Sequence, residues 1–301
     1  MIRIGTRNSP LAMWQAQEVE QKLKNLGYET VLVPVVSSGD KNLNQPLYAL
    51  GITGVFTKDL DIALLNNEID IAVHSLKDVP TILPQNIEIS AVLERDFPQD
   101  VLVRKSTSKE KHLSDLKIAT SSLRRRAFWL EEFPNTEFSD IRGNVQTRLK
   151  KLEEGDFDAT IFSLAGIQRM EMNLEYEFLD FMISAPSQGV VAIASRKDDV
   201  ETKALLQKIN HQETQICVEI ERQFLRTLEG GCTAPIGALA KFKEGKISFS
   251  GKLNALDGTK TISISEEVEW DETKNLGEAF AYVVLENGGK ELMNEIKASL
   301  P

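Results

Sequence analysis

Hydrophobic and polar residues follow alternating strand and helix patterns through the first two thirds of the chain. The valine-rich run at 30–36 predicts a strand, and the apolar run at 69–73 predicts a buried strand. Apolar residues recur at helical spacing between Ser9 and Gly27, where Ser9 suits the N-cap and Pro10 the first helical position. This alternation predicts α/β domains with largely parallel sheets and with sites at the carboxyl ends of the strands.

The same alternation continues along the chain. Further predicted helices cover residues 56–66, 123–133 and 145–154, and further predicted strands cover residues 116–119, 137–138 and 159–164. Residues 39–54 contain glycines, asparagines and a proline without periodicity, which predicts a long loop of the kind that forms lids. Residues 74–84 are predicted to form a loop after the buried strand at 69–73.

The last third of the chain has a different pattern. A predicted helix at 212–228 precedes the glycine pair 230–231, and three short strands follow. These strands are predicted at 238–242, 246–253 and 261–268, before a final helix at 276–296. Consecutive strands with flanking helices predict a small antiparallel α+β domain.

Charge and composition exclude several classes of protein. The net charge of −10 argues against a general nucleic-acid or anionic-membrane binder, whose surface would be basic. Two cysteines and three scattered histidines give neither a disulfide framework nor a metal-ligand spacing, so we expect no metal site. The chain has no standard nucleotide loop, signal peptide or membrane-spanning run, and we expect a cytoplasmic protein.

Arginines concentrate in one part of this acidic chain. Residues 117–151 carry eight basic and four acidic residues, a local balance of +4. The arginines at 124–126 begin a predicted helix behind Ser122, where positive charge opposes the helix dipole, so an anionic ligand would explain them. A solvated face paired with Glu131 and Glu132 is the alternative. Further arginines at predicted strand or helix ends are Arg7, Arg142, Arg148 and Arg169. Their guanidinium groups suit a ligand with several carboxylates or phosphates.

A second candidate segment spans residues 74–80. Lys77 and Asp78 follow a predicted buried strand, the position at which α/β sites lie. An aspartate there can accept a hydrogen bond from a substrate N–H and stabilise positive charge that develops nearby. The alternative is an ordinary turn, because Asp before Val-Pro is good loop chemistry. We interpret His74 as a structural residue rather than a catalyst.

The two cysteines differ in their surroundings. Cys232 follows two glycines and precedes Pro235, which predicts a tight, exposed loop. Cys217 lies on a predicted helix with Ile220 and Phe224, the pattern of a buried, inert thiol. Cys232 is therefore the candidate for a reactive thiol.

Five segments in order, at 5–12, 74–80, 120–125, 142–148 and 228–237, resemble those of hydroxymethylbilane synthases, also called porphobilinogen deaminases. The resemblance runs over essentially the whole chain. It implies three domains: two similar α/β domains, related to periplasmic binding proteins, around a cleft, and a small antiparallel α+β C-terminal domain. The implied boundaries are residues 1–94 with 189–208, then 95–188, then 209–301.

The resemblance also implies an activity and a cofactor. Enzymes of this family condense four porphobilinogen molecules stepwise into linear hydroxymethylbilane, with loss of ammonia, on a dipyrromethane cofactor held by a thioether to a loop cysteine. That cysteine corresponds to Cys232, and the catalytic aspartate corresponds to Asp78. The implied cofactor-binding residues are Lys77, Ser122, Arg124, Arg125, Arg142 and Arg148. The implied substrate-binding residues are Arg7, Ser9, Ser75, Arg169 and Gln188.

The chain departs from the family pattern at three positions. Thr53 stands where the family usually has lysine, Ser187 where it has glycine, and Ala194 where it has glutamate. None of these changes removes Asp78 or Cys232, so we expect an active enzyme. We expect porphobilinogen and polypyrrole intermediates as its partners, no nucleic acid or membrane, and a monomer.

Two other functions are compatible with the same residues. One is a non-catalytic anion-binding protein with a two-domain cleft, which the Gly-Gly-Cys loop disfavours. The other is a thiol-dependent transferase that uses Cys232 as its nucleophile.

Overall fold

The computed structural model describes residues 1–36, 57–228, 234–271 and 274–300. The predicted lid at 39–54, with Thr53, lies outside the described residues, and so does Cys232. The described residues form two compact units. The first takes its residues from 1–96 and 188–216, and the second from 97–187 and 217–300. The division of the chain into three domains stays a prediction.

Strands and helices alternate along the described chain. The strands are β1 (Ile2–Arg7), β2 (Thr30–Val35), β3 (Ile71–Ser75), β4 (Ile87–Val92), β5 (Asp100–Arg104), β6 (Ile118–Ala119), β7 (Phe138–Ser139), β8 (Ala159–Ser163), β9 (Glu177–Phe178), β10 (Val191–Arg196), β11 (Ile236–Lys243), β12 (Lys246–Asn254) and β13 (Thr261–Glu269). The helices are α1 (Pro10–Asn25), α2 (Lys58–Leu65), α3 (Leu123–Glu132), α4 (Val145–Glu154), α5 (Leu164–Arg169), α6 (Val200–Leu206), α7 (Gln212–Thr227), α8 (Leu276–Val284) and α9 (Lys290–Ser299).

The first unit is built on a five-stranded sheet in the order β2-β1-β3-β10-β4. β1 is parallel to β2 and β3, and β10 is antiparallel to both of its neighbours. Helix α1 packs Val19 and Leu23 onto Ile4 and Ile71 of the sheet. The predicted N-cap of α1 is confirmed, since the Ser9 hydroxyl accepts a hydrogen bond from the Ala12 N–H at 3.3 Å.

The second unit contains a five-stranded sheet in the order β7-β6-β8-β5-β9. β6 is parallel to β7 and β8, whereas β5 is antiparallel to β8 and β9. In both five-stranded sheets, therefore, the fourth strand runs against the other four, and the prediction of largely parallel sheets is confirmed. Because β5 is antiparallel, its first residue, Asp100, pairs with Ser163, the last residue of β8. Asp100 thus lies at the edge where the parallel strands end.

The second unit also contains an antiparallel sheet in the order β11-β12-β13, which confirms the predicted α+β pattern of the last third. Phe249 of this sheet packs against Phe224 of α7 and stacks on Phe280 of α8, with ring centroids 5.1 and 4.7 Å apart. The prediction of one helix at 276–296 is wrong. The helix is interrupted between α8 and α9, where Gly288 adopts a left-handed φ of +97°.

A buried carboxylate joins three segments of the second unit. Glu221 of α7 is fully buried, and its two oxygens accept hydrogen bonds from the Ser187 N–H at 2.7 Å and from the Ala240 N–H at 2.8 Å. Ser187 itself adopts a left-handed φ of +66°, a conformation that favours glycine.

No helix within the described ranges is long and apolar enough to cross a membrane.

Candidate active site

The turn that carries Lys77 and Asp78 follows β3 directly in the first unit. The N–H of Leu76 donates to the Val190 carbonyl at 2.9 Å, and the buried Leu76 side chain anchors the turn. Lys77 and Asp78 are half-buried. The Asp78 carboxylate has no hydrogen-bond or ion-pair partner within the described part of the chain. It is therefore available to a ligand N–H.

The start of the predicted loop at 74–84 is wrong. His74 and Ser75 belong to β3, because they pair with Ala192 and Val191 of β10. His74 is buried, and burial together with the positive charge of Arg7 lowers the pKa of its imidazole to about 4. A neutral, buried imidazole fits the structural interpretation of His74.

Four predicted site residues line one pocket of the first unit. They are Arg7, Ser9, Ser75 and Asp78. Gln15 of α1 lines the same pocket and donates from Nε2 to the Ser75 hydroxyl at 2.8 Å. Sequence reasoning missed Gln15, although its position on the inner face of α1 is visible in the helical period. The four predicted residues offer one carboxylate, one guanidinium and two hydroxyls to a small polar ligand.

Lys77 is held by a second predicted residue, Gln188. The Lys77 ammonium donates to Gln188 Oε1 at 3.3 Å. Gln188 is buried, and its backbone carbonyl accepts from Arg95 Nη1 at 3.2 Å. The structure therefore groups Lys77 and Gln188 with Asp78 in the first unit, although residues 77 and 188 are far apart in sequence.

The predicted arginine-rich site lies at the carboxyl edge of the second unit's five-stranded sheet. Ser122 caps α3, and its hydroxyl accepts a hydrogen bond from the Arg125 N–H at 3.4 Å. Arg124 and Arg125 follow in the first turn of α3, and the two residues are only 6% and 7% exposed. The alternative in which these arginines form a solvated face with Glu131 and Glu132 is wrong. Glu131 instead accepts from Lys252 and Asn254.

The first anion that the arginines contact belongs to the protein. Arg124 Nη1 lies 2.6 Å from Asp100 Oδ2, while Arg125 Nη2 donates to Asp100 Oδ1 at 2.7 Å. Asp100 is 1% exposed. Sequence reasoning missed Asp100. The available signal was an acidic residue at the start of an apolar run, Val101 to Val103.

Arg148 of α4 reaches the same region. Its Nη2 donates to the Ile161 carbonyl at 2.7 Å and to the Thr160 hydroxyl at 3.0 Å, and its guanidinium lies over the Phe162 ring. Its Nε is buried without a hydrogen-bond partner among the described residues. Burial and the neighbouring Arg125 lower the pKa of Arg148 to about 9, so the group remains charged at neutral pH.

Two further predicted arginines lie in the second unit, outside the strands of its sheet. Arg142 precedes α4 and is half-buried, and its backbone carbonyl accepts from Lys151. Arg169 ends α5 and is buried. Three arginines near Asp100, at 124, 125 and 148, outnumber that single carboxylate, so this edge of the sheet carries an excess of positive charge. The excess suits a ligand that bears several carboxylates.

Of the two cysteines, only Cys217 lies among the described residues. Cys217 is buried, which confirms its prediction as a buried thiol. Cys232, the predicted attachment residue, lies outside the described residues. Within the described ranges, no group of three or more His, Cys, Asp or Glu side chains could hold a metal ion.

Two family models match the chain. The model described as "Porphobilinogen deaminase, dipyromethane cofactor binding domain" matches residues 2–204. The model described as "Porphobilinogen deaminase, C-terminal domain" matches residues 215–286. Together they extend over most of the sequence.

Curated relatives are similar over nearly the full length. "Probable porphobilinogen deaminase" of Methanocaldococcus jannaschii is 49% identical and covers 89% of this chain and 92% of the relative. "Porphobilinogen deaminase" of Chloroherpeton thalassium is 41% identical, and the alignment covers 98% of this chain and 97% of the relative. Among solved structures, the L-cystine solute receptor of Neisseria gonorrhoeae aligns with a TM-score of 0.39 at 15% identity, over 73% of this chain and 89% of the receptor.

Proposed function

The chain belongs to the porphobilinogen deaminase family, and from this premise we propose that Asp78 is its catalytic carboxylate and that the arginine-rich edge binds the carboxylates of its ligands. The activity is that of a hydroxymethylbilane synthase in tetrapyrrole biosynthesis. It condenses porphobilinogen molecules stepwise and releases ammonia. The observation that carries the assignment of Asp78 is its position directly after β3, where it is half-buried and its carboxylate has no partner among the described residues.

The proposed role of Asp78 follows from the charge that the reaction develops. When the C–N bond of a protonated aminomethyl group breaks, ammonia leaves, and the porphobilinogen becomes an azafulvene cation with its charge shared by the ring N–H. A carboxylate beside that N–H stabilises the cation electrostatically. The next pyrrole then forms the new C–C bond through its α-carbon. The same carboxylate can accept the proton that this pyrrole α-carbon releases.

The arginines match the acetate and propionate groups of the pyrrole rings. Each added ring brings two carboxylates, so the negative charge of the bound chain grows during the reaction. We propose that Arg124, Arg125, Arg142 and Arg148, with Ser122 and Lys77, bind cofactor carboxylates. We propose that Arg7, Ser9, Ser75, Arg169 and Gln188 bind substrate.

The donor set of the second unit fits the dipyrromethane cofactor that the family binds. Arg148 keeps a buried Nε without a partner among the described residues, and a ligand carboxylate would satisfy it. When bound, the dipyrromethane supplies the primer to which porphobilinogen is added. We propose Cys232 as the residue that holds it through a thioether.

Intact-protein mass spectrometry tests the assignment. Protein expressed in cells that make porphobilinogen should exceed its sequence mass by two porphobilinogen units less two ammonias, and it should convert added porphobilinogen into hydroxymethylbilane. A non-catalytic anion-binding protein, or a transferase with a free Cys232 thiol, would show the unmodified mass. That result would overturn the proposal.

The cellular setting is also a proposal. The net charge of −10 supports an enzyme that binds neither nucleic acid nor anionic membranes. We propose a monomer in the cytoplasm, which size-exclusion chromatography with light scattering and cell fractionation would test.

A further inference from the structure

Asp100 contacts both arginines at the start of α3. Its Oδ1 accepts from Arg125 Nε at 3.1 Å and from Arg125 Nη2 at 2.7 Å. Its Oδ2 lies 2.6 Å from Arg124 Nη1. One buried carboxylate thus divides its two oxygens between two consecutive guanidinium groups.

Backbone carbonyls fix the same arginines from another direction. Arg124 Nη1 donates to the Ile183 carbonyl at 2.8 Å, and Arg125 Nη1 donates to the Ile161 carbonyl at 2.7 Å. Arg125 is thus held through Nε, Nη1 and Nη2, which fixes the plane of its guanidinium. Arg124 makes both of its contacts through Nη1, so its other N–H groups can bind a ligand carboxylate.

Asp100 also offsets the repulsion within the cluster. Arg125 and Arg148 donate to the same carbonyl, that of Ile161, which brings two positive charges close together in a partly buried site. Burial lowers the pKa of Arg125 and of Arg148, and the negative charge of Asp100 offsets part of that lowering. Without Asp100, the arginines would lose the counter-charge that contacts Arg124 and Arg125.

We infer that Asp100 is a positioning residue of this enzyme: its carboxylate holds Arg124 and Arg125 in the orientation that binds the carboxylates of the dipyrromethane and of the growing pyrrole chain. Asp100 acts through the two arginines. The inference rests on the proposed function of those arginines.

The test compares Asp100→Asn with a matched control, Asp70→Asn. Asp70 forms a similar two-point pair with Arg3, with oxygens 2.7 and 3.1 Å from Arg3 Nη2 and Nε, but it lies at the opposite end of β3 from Asp78. Each variant is expressed in cells that make porphobilinogen. The measurements are the fraction of protein that carries the cofactor mass, the KM and kcat for porphobilinogen, and the melting temperature.

We expect folded Asp100→Asn to carry the cofactor in a smaller fraction and to show a KM raised by up to about 10²-fold, the effect of misplaced binding groups. Asp70→Asn should lose melting temperature while its cofactor fraction and KM stay at the wild-type values. Equal cofactor fractions and KM values for the two variants would overturn the inference and leave Asp100 with a stabilising role only.

If Asp100→Asn does not fold, Asp100→Glu tests whether Asp100 positions the arginines. It keeps the charge within the cluster but adds one methylene, which displaces the carboxylate from its present contacts. A raised KM in folded Asp100→Glu supports positioning, and a wild-type KM with full cofactor content overturns it. Wild-type protein that makes no hydroxymethylbilane would instead overturn the proposed function.

Discussion

The Glu131 carboxylate lies 3.0 Å from the Lys252 ammonium and joins helix α3 to strand β12. The same oxygen, Oε2, accepts from Asn254 Nδ2 at 2.8 Å. Burial opposes ionisation of this carboxyl, but the hydrogen bonds from Asn254 and Lys252 lower its pKa. The helix that carries Arg124 and Arg125 is thereby attached to the antiparallel sheet.

Glu131→Gln should destabilise the protein by about 1–3 kcal/mol at neutral pH, because it removes a charged hydrogen-bond acceptor. The folded pKa of Glu131 lies below the unfolded value, so the stabilisation is present above the unfolded pKa and is lost as pH falls through the folded pKa. Urea unfolding of both proteins from pH 7 to pH 3 would measure this. The difference between them should shrink at the acidic end.

Glu267→Gln is the matched control for Glu131. Glu267 lies 3.6 Å from Lys246, and its side chain is 66% exposed. An exposed pair of this kind contributes about 0–1 kcal/mol. A loss for Glu131→Gln no larger than that for Glu267→Gln would contradict the predicted stabilisation of the α3–β12 contact.

Asp78→Asn should lower kcat by roughly 10²–10⁴-fold, the usual contribution of a positioned acid–base group. Its melting temperature should stay at the wild-type value, since the carboxylate has no protein partner to lose within the described chain. Steady-state kinetics with porphobilinogen and thermal unfolding would measure the two effects. Near-normal turnover would remove Asp78 from the mechanism.

Cys232→Ser should yield protein without the covalent cofactor, because the hydroxyl of serine is a poorer nucleophile than the thiolate. Cys217→Ser should retain the cofactor, since Cys217 is buried in the described structure. Intact mass of the two variants distinguishes the thiols. The reverse pattern would show that the attachment residue is Cys217.

Ser187→Gly should stabilise the protein by up to about 1 kcal/mol, since a left-handed residue other than glycine is strained by roughly 1–2 kcal/mol and the extra freedom of glycine offsets part of that gain. Ser187→Ala is the control, because it removes only the hydroxyl, which is buried without a partner among the described residues. Chemical unfolding would compare them. A glycine variant no more stable than the alanine variant would argue against backbone strain at 187.

Local sequence patterns predicted where the helices of the site begin, but they did not predict which residues pair with its arginines. The N-cap at Ser9 and the start of a helix behind Ser122 follow from a few adjacent residues, and both are confirmed. The pairing of Asp100 with Arg124 and Arg125 connects segments 24 and 25 residues apart, and it depends on the antiparallel direction of β5. No local pattern specifies that direction.

Two other differences between the predicted and the observed elements also have physical causes. His74 and Ser75 extend β3 because β10, a segment more than 100 residues later, supplies their pairing partners. The interruption between α8 and α9 was visible in the sequence, since Asn287-Gly288 is a strong turn signal. The apolar period on both sides of it favoured one continuous helix.

The position of β10 has a consequence for the order in which the chain can fold. β10 lies between β3 and β4, yet it is synthesised after all strands of the second unit's five-stranded sheet. During synthesis on the ribosome, the edges of β3 and β4 that pair with β10 therefore stay unpaired while residues 97–187 emerge. Strands β5 to β9 can already pair with one another at that stage. The sheet nearest the N-terminus can thus be completed only after all strands of the five-stranded sheet that follows it have been synthesised.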